Sequence, residues 1–490
     1  MSGVTGLPTA WIEINFDEAV EVISDRGTRI QQKAYLPDGL LPVVDQGDGL
    51  IGGYTNDLAA QVVAPAPVIV FGDHTRRFKF VKFPFAVGAD GVKLFAPTGL
   101  WCPEFLYLQL GTVDLENRGY GRHYQHLRRE LLALPPRPEQ TRIVAKLEEL
   151  LSDLDAGVAE LKAAQKKLKQ YRQSLLKAAV EGALTTDWRT QNTPTESGAQ
   201  LLARILTERR ARWETKQLNK FKEQGKAPPK DWQKKYPEPV QPDTSGLPEL
   251  PQGWGWASID QLAAIGTGVT PLRSKAQYFE GGEIPWVTSG ALNQEAVEVA
   301  TELVTPLALN ECRLELYPAG ALLVAMYGEG KTRGKCSELA IPATVNQAIA
   351  ALVTEGAAQS CRIHLKSFLL KSYEDMRKQA SGGVQPNLNL QIIRSIVVPV
   401  PSMEEQKAIQ TALNGQLEAA RSQIAEINHA LKQSSVQRQN ILRAAFAGQL
   451  VPQDPADEPA SVLLARIRAE RAQTNALKNP RVRAKKVGLP

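Results

Sequence analysis

The sequence predicts a mixed α/β fold, in which two globular α/β domains are separated by two long helices that form an antiparallel intramolecular coiled coil. The main observation is an internal repeat: residues 134–184 match residues 400–450 without a gap. The motif Leu-Pro-x-x-Trp at residues 7–11 returns at 250–254, and LLARI at 201–205 returns at 463–467. Shared ends around diverged middles indicate a pseudo-two-fold duplication in which the two halves do different things.

The repeated helices have the heptad spacing of a coiled coil. Apolar residues in a 4-3 pattern predict a narrow seam that meets another helix. The seam residues are Leu147, Leu151, Leu154, Val158, Leu161, Leu168 and Leu175 in the first copy, and Leu413, Leu417, Ile424, Ile427, Leu431 and Ile441 in the second. The other copy is the favoured partner, because two matched seams in one chain are at high effective concentration. Homodimerisation through one helix is the alternative.

One seam position carries a cation in both copies. Arg172 and Arg438 occupy it, and two guanidinium groups on an apolar seam require carboxylate partners, a place near the end of the seam or a position that faces another subunit. Antiparallel pairing of helices about 60 Å long would place the two α/β domains at opposite ends.

The chain divides into six predicted segments: a first α/β domain (1–134), a shared helical region (135–223), an extended proline-rich linker (224–251), a second α/β domain (252–400), a second shared helical region (401–475) and a basic tail (476–490). In the first domain we expect a helix at 16–23 and strands within 40–46, 67–73 and 78–87, separated by glycine turns.

Composition limits the class of protein. A chain of 490 residues exceeds one hydrophobic core, and its net charge of +6 does not by itself indicate nucleic acid. The four cysteines are scattered without a Cys-x-x-Cys pair, which argues against zinc and disulfides and favours a reducing cytoplasm. Neither a signal peptide nor an apolar run of about 18 residues is present, so we expect no membrane segment.

Motifs of catalysis are weak. Residues 327–332 resemble the end of a phosphate-binding loop, but Ala325 stands where that motif requires glycine. His123 and His126 form the only near pair of histidines and have no third ligand close in sequence. We therefore predict no catalytic residue, no metal and no cofactor in this chain.

Polar and basic clusters instead favour contact with nucleic acid. Arg, Lys, Asn and Gln read base edges in the major groove, whereas Lys and Thr suit phosphates. The candidates are His74, Thr75, Arg76, Arg77, Lys79, Tyr120, Arg122 and His123 in the first domain, and Thr270, Arg273, Lys275, Lys331, Arg333, Lys335, Asn346, Gln347, Gln385, Asn387 and Asn389 in the second. The alternative is local: Asn387 and Asn389 cap or close turns, and His74 orients its loop.

These residues carry a family resemblance. Both helical repeats resemble the specificity subunits of type I restriction–modification systems, and so do parts of both domains. These parts are residues 35–55, 69–95 and 120–127 of the first domain and residues 284–292, 323–335, 343–352 and 382–406 of the second. The match covers nearly the whole chain apart from the linker and the tail. Residues 23–30 depart from it, because they lack the Thr-Pro step found at 270–271.

The resemblance implies a non-catalytic subunit. Each α/β domain would be a target recognition domain that reads one half of a split sequence in double-stranded DNA. The helices would separate the half-sites and dock two methyltransferase subunits, which a nuclease–translocase (restriction) subunit joins. S-adenosylmethionine, ATP and Mg²⁺ would then belong to those partners. The alternatives are a coiled-coil scaffold whose globular domains bind protein, and an enzyme with an unrecognised site.

Overall fold

Among its described residues, the first α/β domain has ten short strands and three short helices. In the computed structural model the described residues are 6–25, 27–116, 122–300, 302–327, 332–373, 376 and 388–478, with the backbone alone from 474 to 478. The strands are β1 (Ile12–Asn15), β2 (Val20–Ile23), β3 (Arg29–Ile30), β4 (Leu41–Val44), β5 (Gly53–Thr55), β6 (Val68–Gly72), β7 (Phe78–Val81), β8 (Ala86–Gly88), β9 (Val92–Pro97) and β10 (Leu131–Leu134). The helices are α1 (Phe16–Ala19), α2 (Pro103–Leu110) and α3 (Tyr124–Leu127).

The helix predicted at 16–23 is wrong over its second half. Helix α1 ends at Ala19, and Val20–Ile23 form β2 antiparallel to β9. The β-branched Val20 and Val22 pair with Pro97 and Phe95 in that ladder. Branched side chains favour a pleated sheet over a helix, so tertiary pairing overrides the acidic helix start.

A helical region follows the first domain. It consists of α4 (Arg137–Val180), α5 (Thr186–Gln191) and α6 (Gly198–Glu223). Helix α6 begins with a capping box, in which Ser197 and Gln200 each bond the backbone N–H of the other.

The second α/β domain repeats the topology of the first. Its strands are β11 (Gly255–Ser258), β12 (Ala264–Thr267), β13 (Ile284–Val287), β14 (Ala296–Val297), β15 (Glu302–Val304), β16 (Leu322–Ala325), β17 (Cys336–Leu339), β18 (Thr344–Val345), β19 (Ile349–Val353) and β20 (Val397–Val400). Its helices are α7 (Ile259–Leu262), α8 (Pro306–Glu311), α9 (Arg362–Lys371) and α10 (Leu390–Ser395). Helices α11 (Met403–Phe446) and α12 (Ala460–Lys478) complete the chain.

The strand order shows how far the duplication extends. The main sheet is β2-β9-β6-β7 in the first domain and β12-β19-β16-β17-β14 in the second. In the second sheet, β8-β4-β5 corresponds to β18-β13-β15, with the same parallel and antiparallel pairs. The diverged middles of the repeat therefore keep one fold and differ mainly in their side chains and loops.

The chain forms two compact units. Unit 1 comprises residues 1–163 and 427–490, and unit 2 comprises residues 164–426. Each unit thus contains one α/β domain and one half of each long helix. These units cut across the linear segments predicted from the sequence, because both long helices are shared.

The long-helix segments run antiparallel within each unit. In unit 1, Leu147 and Leu151 near the start of α4 pack with Ile441 near the end of α11. In unit 2, Leu175 near the end of α4 packs with Leu413 near the start of α11. None of the predicted seam residues is exposed. The predicted coiled-coil pairing is therefore confirmed, and both strands of the seam come from this chain.

The two seam arginines have carboxylate partners, as the sequence required. Arg438 forms an ion pair with Asp155 in unit 1. In unit 2, Arg172 forms an ion pair with Glu295, and the same carboxylate also pairs with Arg421. Burial lowers the pKa of Arg172, and Glu295 compensates the cost of placing its charge there.

The repeated motifs meet at a junction that is built twice. In unit 1, the Trp11 indole N–H donates to Glu139 at 2.9 Å, and Gly448 lies against Pro8 and Trp11. In unit 2, Trp254 donates to Glu405 at 2.8 Å. There, Gly182 lies against Pro251 and Trp254. Both glycines have positive φ, so the Leu-Pro-x-x-Trp motif, the helix start and the glycine turn recur because together they attach an α/β domain to the helices.

The segment 224–251, predicted to be an extended linker, folds back on α6 instead. It contains a 3₁₀ turn at Trp232–Lys235, and Trp232 and Tyr236 are buried. Trp213 on α6 stacks on Trp232 with ring centroids 5.8 Å apart. The prolines indicated a spacer, but the aromatic residues between them supply a small core.

A buried histidine makes the stability of unit 2 depend on pH. Burial lowers the pKa of His364 to about 4, although its Nε2–H donates to the Pro399 carbonyl at 2.8 Å. Because the folded pKa lies below the unfolded value near 6.5, stability is complete above pH 6.5 and falls as the pH drops toward 4. At pH 5 we expect His364 to remove about 2 kcal/mol of the free energy of unfolding.

Urea denaturation of the full chain at pH 7 and pH 5 tests this expectation. The variant His364→Gln keeps an N–H donor but does not titrate, so its loss between the two pH values should be smaller by about 2 kcal/mol. Equal losses in both proteins would contradict the assignment.

Candidate nucleic-acid interface

Loops of the first domain converge at one edge of its sheets. Strands β4, β6 and β8 end at this edge and are followed by residues 45–52, 73–77 and 89–91, which we call the first loop face. The Gln46 side-chain N–H donates to the Asp90 carbonyl at 3.1 Å, and the Asp73 N–H donates to the Gly91 carbonyl at 2.6 Å. These bonds hold the three loops together.

Asp73 anchors the segment 122–124 beside this face. Its carboxylate accepts a bond of 2.7 Å from the Tyr124 N–H, and its carbonyl lies 2.8 Å from Nδ1 of His123. His123 is only 1% exposed, so the prediction that it contacts nucleic acid is wrong. It positions Arg122, whose side chain is exposed at the start of that segment.

A second, partly buried cluster fixes the loop after β4. The Asp45 carboxylate accepts bonds from the Tyr35 hydroxyl at 3.3 Å and from the Gly47 N–H at 2.9 Å, and it pairs with the Lys79 ammonium at 3.4 Å. Burial, with the nearby Asp45 charge, raises the pKa of Tyr35 to about 12. Burial lowers the pKa of Lys79, and Asp45 opposes that lowering. Because Lys79 is 6% exposed, its predicted contact with nucleic acid is also wrong.

The other candidates of the first domain lie on the hairpin tip between β6 and β7. Thr75 and Arg77 are exposed, and Arg77 pairs with Asp48 of the neighbouring loop at 2.9 Å. Arg76 has φ of 60° and donates to the Leu115 carbonyl at 2.6 Å, which ties the tip to the following segment. His74 is half-buried, and its N–H lies 3.4 Å from the Gln46 side-chain oxygen. Tyr120 lies outside the described residues.

The second domain has an equivalent edge. Four loop segments lie next to strand ends at one end of the sheets, and we call them the second loop face. They are residues 268–275, 288–295, 332–335 and 346–348. The register proves the convergence, because Ala325 pairs with Ile349, Val324 with Cys336, and Thr267 with Ala350.

Polar side chains meet across this face. Thr270 donates its hydroxyl to the Gln347 side-chain oxygen, and Lys335 donates to the Asn293 side-chain oxygen at 2.5 Å. Arg333 is half-buried beside Lys335. Asn346 accepts a bond of 3.1 Å from the Ala348 N–H and so shapes the turn that presents Gln347.

Two candidate cations of this face are already paired with carboxylates. Arg273 pairs with Glu302 and lies 5.0 Å from the ring centroids of both Phe279 and Trp286. Lys275 pairs with Glu311 at 2.6 Å and donates to the Tyr278 hydroxyl at 3.0 Å. Hydrogen bonds to Glu311 and Tyr278 raise the pKa of Lys275. These pairs hold the loop 268–275 in place and reduce the charge that it offers to phosphates.

Asn389 has the local role that the sequence left as its alternative. Its side-chain oxygen accepts a bond of 2.8 Å from the Ile392 N–H and caps α10. Lys331, Gln385 and Asn387, and most of the loop-like motif at 327–332, lie outside the described residues.

Sequence reasoning missed Gln46 and Asn293, which belong to the two loop faces. They follow corresponding strands, β4 and β13, but at different distances from the strand ends, so an alignment of the strands alone would not have indicated both. Among the described residues, no group of three or more His, Cys, Asp or Glu is arranged to hold a metal ion. Across the same residues, none of the helices combines the length and the apolar character that crossing a membrane needs.

Comparisons with known proteins show what this chain is similar to. The family model described as type I restriction modification DNA specificity domain matches residues 251–431. The specificity subunit of the type I restriction enzyme EcoDI from Escherichia coli is 23% identical over 97% of this chain and 98% of its own. The EcoR124I/EcoR124II specificity subunit from the same species is 21% identical over 79% of this chain and 81% of its own.

A solved structure shares the fold. The similar chain comes from a structural study of complex assembly and conformational transition of the type I R-M system. Its TM-score is 0.59 and its identity is 15%, and the match covers 91% of this chain and 100% of that chain. That likeness shows the fold. The resemblance drawn from the sequence is confirmed: residues 251–431 match the DNA specificity domain model, and over nearly its whole length the chain is similar to a type I restriction enzyme specificity subunit.

Proposed function

We propose that this chain is the non-catalytic DNA-reading subunit of a type I restriction–modification complex, and that each α/β domain reads one half of a bipartite target in double-stranded DNA. The observation that carries the proposal is the pair of loop faces, which leave equivalent strand ends of one duplicated fold. A shared scaffold with unlike readers suits a target with two unlike halves.

The two loop faces present different side chains, so each suits a different DNA sequence. The first face presents Thr75, Arg77 and nearby Arg122, whereas the second presents Gln347, Arg333 and Lys335. Arg and Lys donate to guanine and Gln to adenine in the major groove, while Thr hydroxyls and free cations suit phosphates. The anchors Asp73, which is buried, and Asp45, which is half-buried, hold the first set in place before DNA arrives, which reduces the entropy cost of binding.

The long helices supply the remaining parts of the proposal. Away from the seam most of their side chains are exposed, and this leaves surface on which two methyltransferase subunits dock. The restriction subunits join that assembly in the cytoplasm. Those partners bind S-adenosylmethionine, ATP and Mg²⁺. The methyltransferase flips the target adenine out of the duplex.

Duplex binding at several salt concentrations tests the proposal. With its methyltransferase partner, the full chain should bind its target with an affinity that falls steeply as salt rises, with a slope of about −0.9 per neutralised phosphate. Scrambled duplex should bind more weakly by about 10³-fold or more. Absent or salt-independent binding would contradict DNA reading and favour a coiled-coil scaffold for protein partners.

A further inference from the structure

Helix α6 and the segment that folds back on it together concentrate the positive charge of the chain. Residues 204–238 contain eleven Lys and Arg against five Asp and Glu. This excess of six equals the net charge of the whole chain, so the remaining residues are neutral in sum. A mild overall charge thus conceals one strongly basic segment.

The arginines and the lysines of this segment differ in their partners. The four arginines are paired with carboxylates: Arg204 with Glu196 and Glu208, Arg209 with Asp260, Arg210 with Glu214 and Glu238, and Arg212 with Glu208 and Glu355. Six lysines are exposed and have no ion pair within the described residues: Lys216, Lys220, Lys222, Lys226, Lys230 and Lys235. The arginines therefore attach the segment, and the lysines remain available.

An aromatic cluster holds these lysines on an ordered element, the basic arm (residues 213–236). Trp213 contacts Trp232 face to face and Tyr236 edge to face at 5.4 Å, and Phe221 meets Trp232 at 6.0 Å. The chain reverses at Gly225, with φ of 64°, where the Lys226 N–H donates to the Phe221 carbonyl at 2.9 Å. A charged linker without such a core would extend into solvent.

Both ends of the basic arm are fixed to the second domain. Leu201 and Ile205 of α6 are buried in its core. After the arm, the Val240 N–H donates to the Asp260 carboxylate at 2.9 Å, and the Val240 carbonyl accepts from the Ser258 hydroxyl at 2.6 Å. The arm therefore keeps a defined place on the second domain, at the end of the main sheet opposite the second loop face, because Asp260 precedes β12 and Glu355 follows β19.

We propose that the basic arm binds the phosphate backbone of duplex DNA without reading its sequence. The inference rests on the proposed function, because it takes the duplex DNA bound by this chain as the occupant. Exposed lysines suit phosphates as point charges, and pre-ordering lowers the cost of immobilising them. Lys220 and Lys222 also lie in the last turn of α6, where they favour the helix dipole, but the other four have no such role.

The test replaces those four lysines. In the variant Lys216→Gln, Lys226→Gln, Lys230→Gln, Lys235→Gln, the salt slope of duplex binding should become shallower by about two to four, because each lost phosphate contact removes about 0.9. The preference for the target over scrambled duplex should change less than about twofold, since phosphate contacts carry no sequence information. Arginine at the same four positions is the control and should restore the wild-type slope.

The outcomes separate this inference from the proposed function. Specific binding with an unchanged slope in the glutamine variant would overturn the basic arm alone. If the glutamine variant keeps the wild-type salt slope but no longer assembles with the methyltransferase on gel filtration, the proposed DNA contact would be overturned. The basic arm would then bind an acidic protein surface instead. No specific binding by the wild-type chain would overturn both proposals.

Discussion

Replacing Glu405 with alanine is expected to destabilise unit 2 by about 3–5 kcal/mol, because it removes the partner of a partly buried cation. The Glu405 carboxylate is buried and accepts from the Thr185 hydroxyl at 2.7 Å and from the Trp254 indole at 2.8 Å. It also pairs with Arg189, whose side chain is 17% exposed. The variant leaves this guanidinium and two further donors without their acceptor.

The duplicated junction of unit 1 provides the matched control. Glu139 accepts from Trp11 at 2.9 Å and from the Gln453 amide at 2.5 Å, but it has no arginine within 4 Å among the described residues. Burial raises the pKa of Glu139, so its charge is held at a cost. Glu139→Ala should therefore lose only about 1–3 kcal/mol, the penalty of leaving the buried Trp11 indole N–H unsatisfied, because Gln453 is exposed and can bond to water instead.

Urea denaturation with hydrogen exchange measures both variants. Exchange should quicken in β11 and β20 for Glu405→Ala and in β1 and β10 for Glu139→Ala, since each carboxylate supports its own strand pair. Equal losses in the two variants would contradict the role given to Arg189.

The second large effect concerns recognition. Replacing both Arg333 and Lys335 with alanine should weaken binding to a duplex with the intact target by about 30-fold or more, taking about 1 kcal/mol as the lower value for each contact. Both side chains lie on the second loop face, where Asn293 already orients the Lys335 ammonium. The loss should vanish on a duplex whose second half-site is scrambled, because no specific contact is then left to lose.

The first loop face offers the reciprocal control. Thr75 and Arg122 are exposed, so alanine at both should leave the fold intact and weaken only targets with an intact first half-site. Competition binding with duplexes altered in one half at a time compares the two variants. If the Arg333 and Lys335 variant depended on the first half-site equally, the assignment of one face to one half-site would be wrong.

Several features of the fold followed from the sequence because they repeat. The seam residues and the two seam arginines could be predicted, since heptad spacing needs only local periodicity. The strand order that the two domains share could not, because strand pairs such as β6 with β9 and β16 with β19 join residues far apart in the chain. Gln46 and Asn293 were missed for that reason.

Burial explains the wrong site residues. Lys79 and His123 stand in basic, aromatic stretches that favour nucleic acid, yet one meets Asp45 and the other the Asp73 carbonyl inside the domain. Lys79 lies between Phe78 and Phe80 on β7, so period-two alternation suggested that it is exposed, yet the structure buries it on the same face as Val81. Nothing local marks His123, because its partner lies 50 positions away.

Genome-wide mapping of adenine methylation tests the central claim most directly. Cells that carry this chain and its methyltransferase partner should show one methylated motif with two specified parts around an unspecified spacer, absent from cells that lack the chain. Alanine at Arg333 and Lys335 should relax or abolish one part and leave the other unchanged. A motif that does not depend on the chain, or an undivided motif, would contradict the reading of two half-sites by two domains.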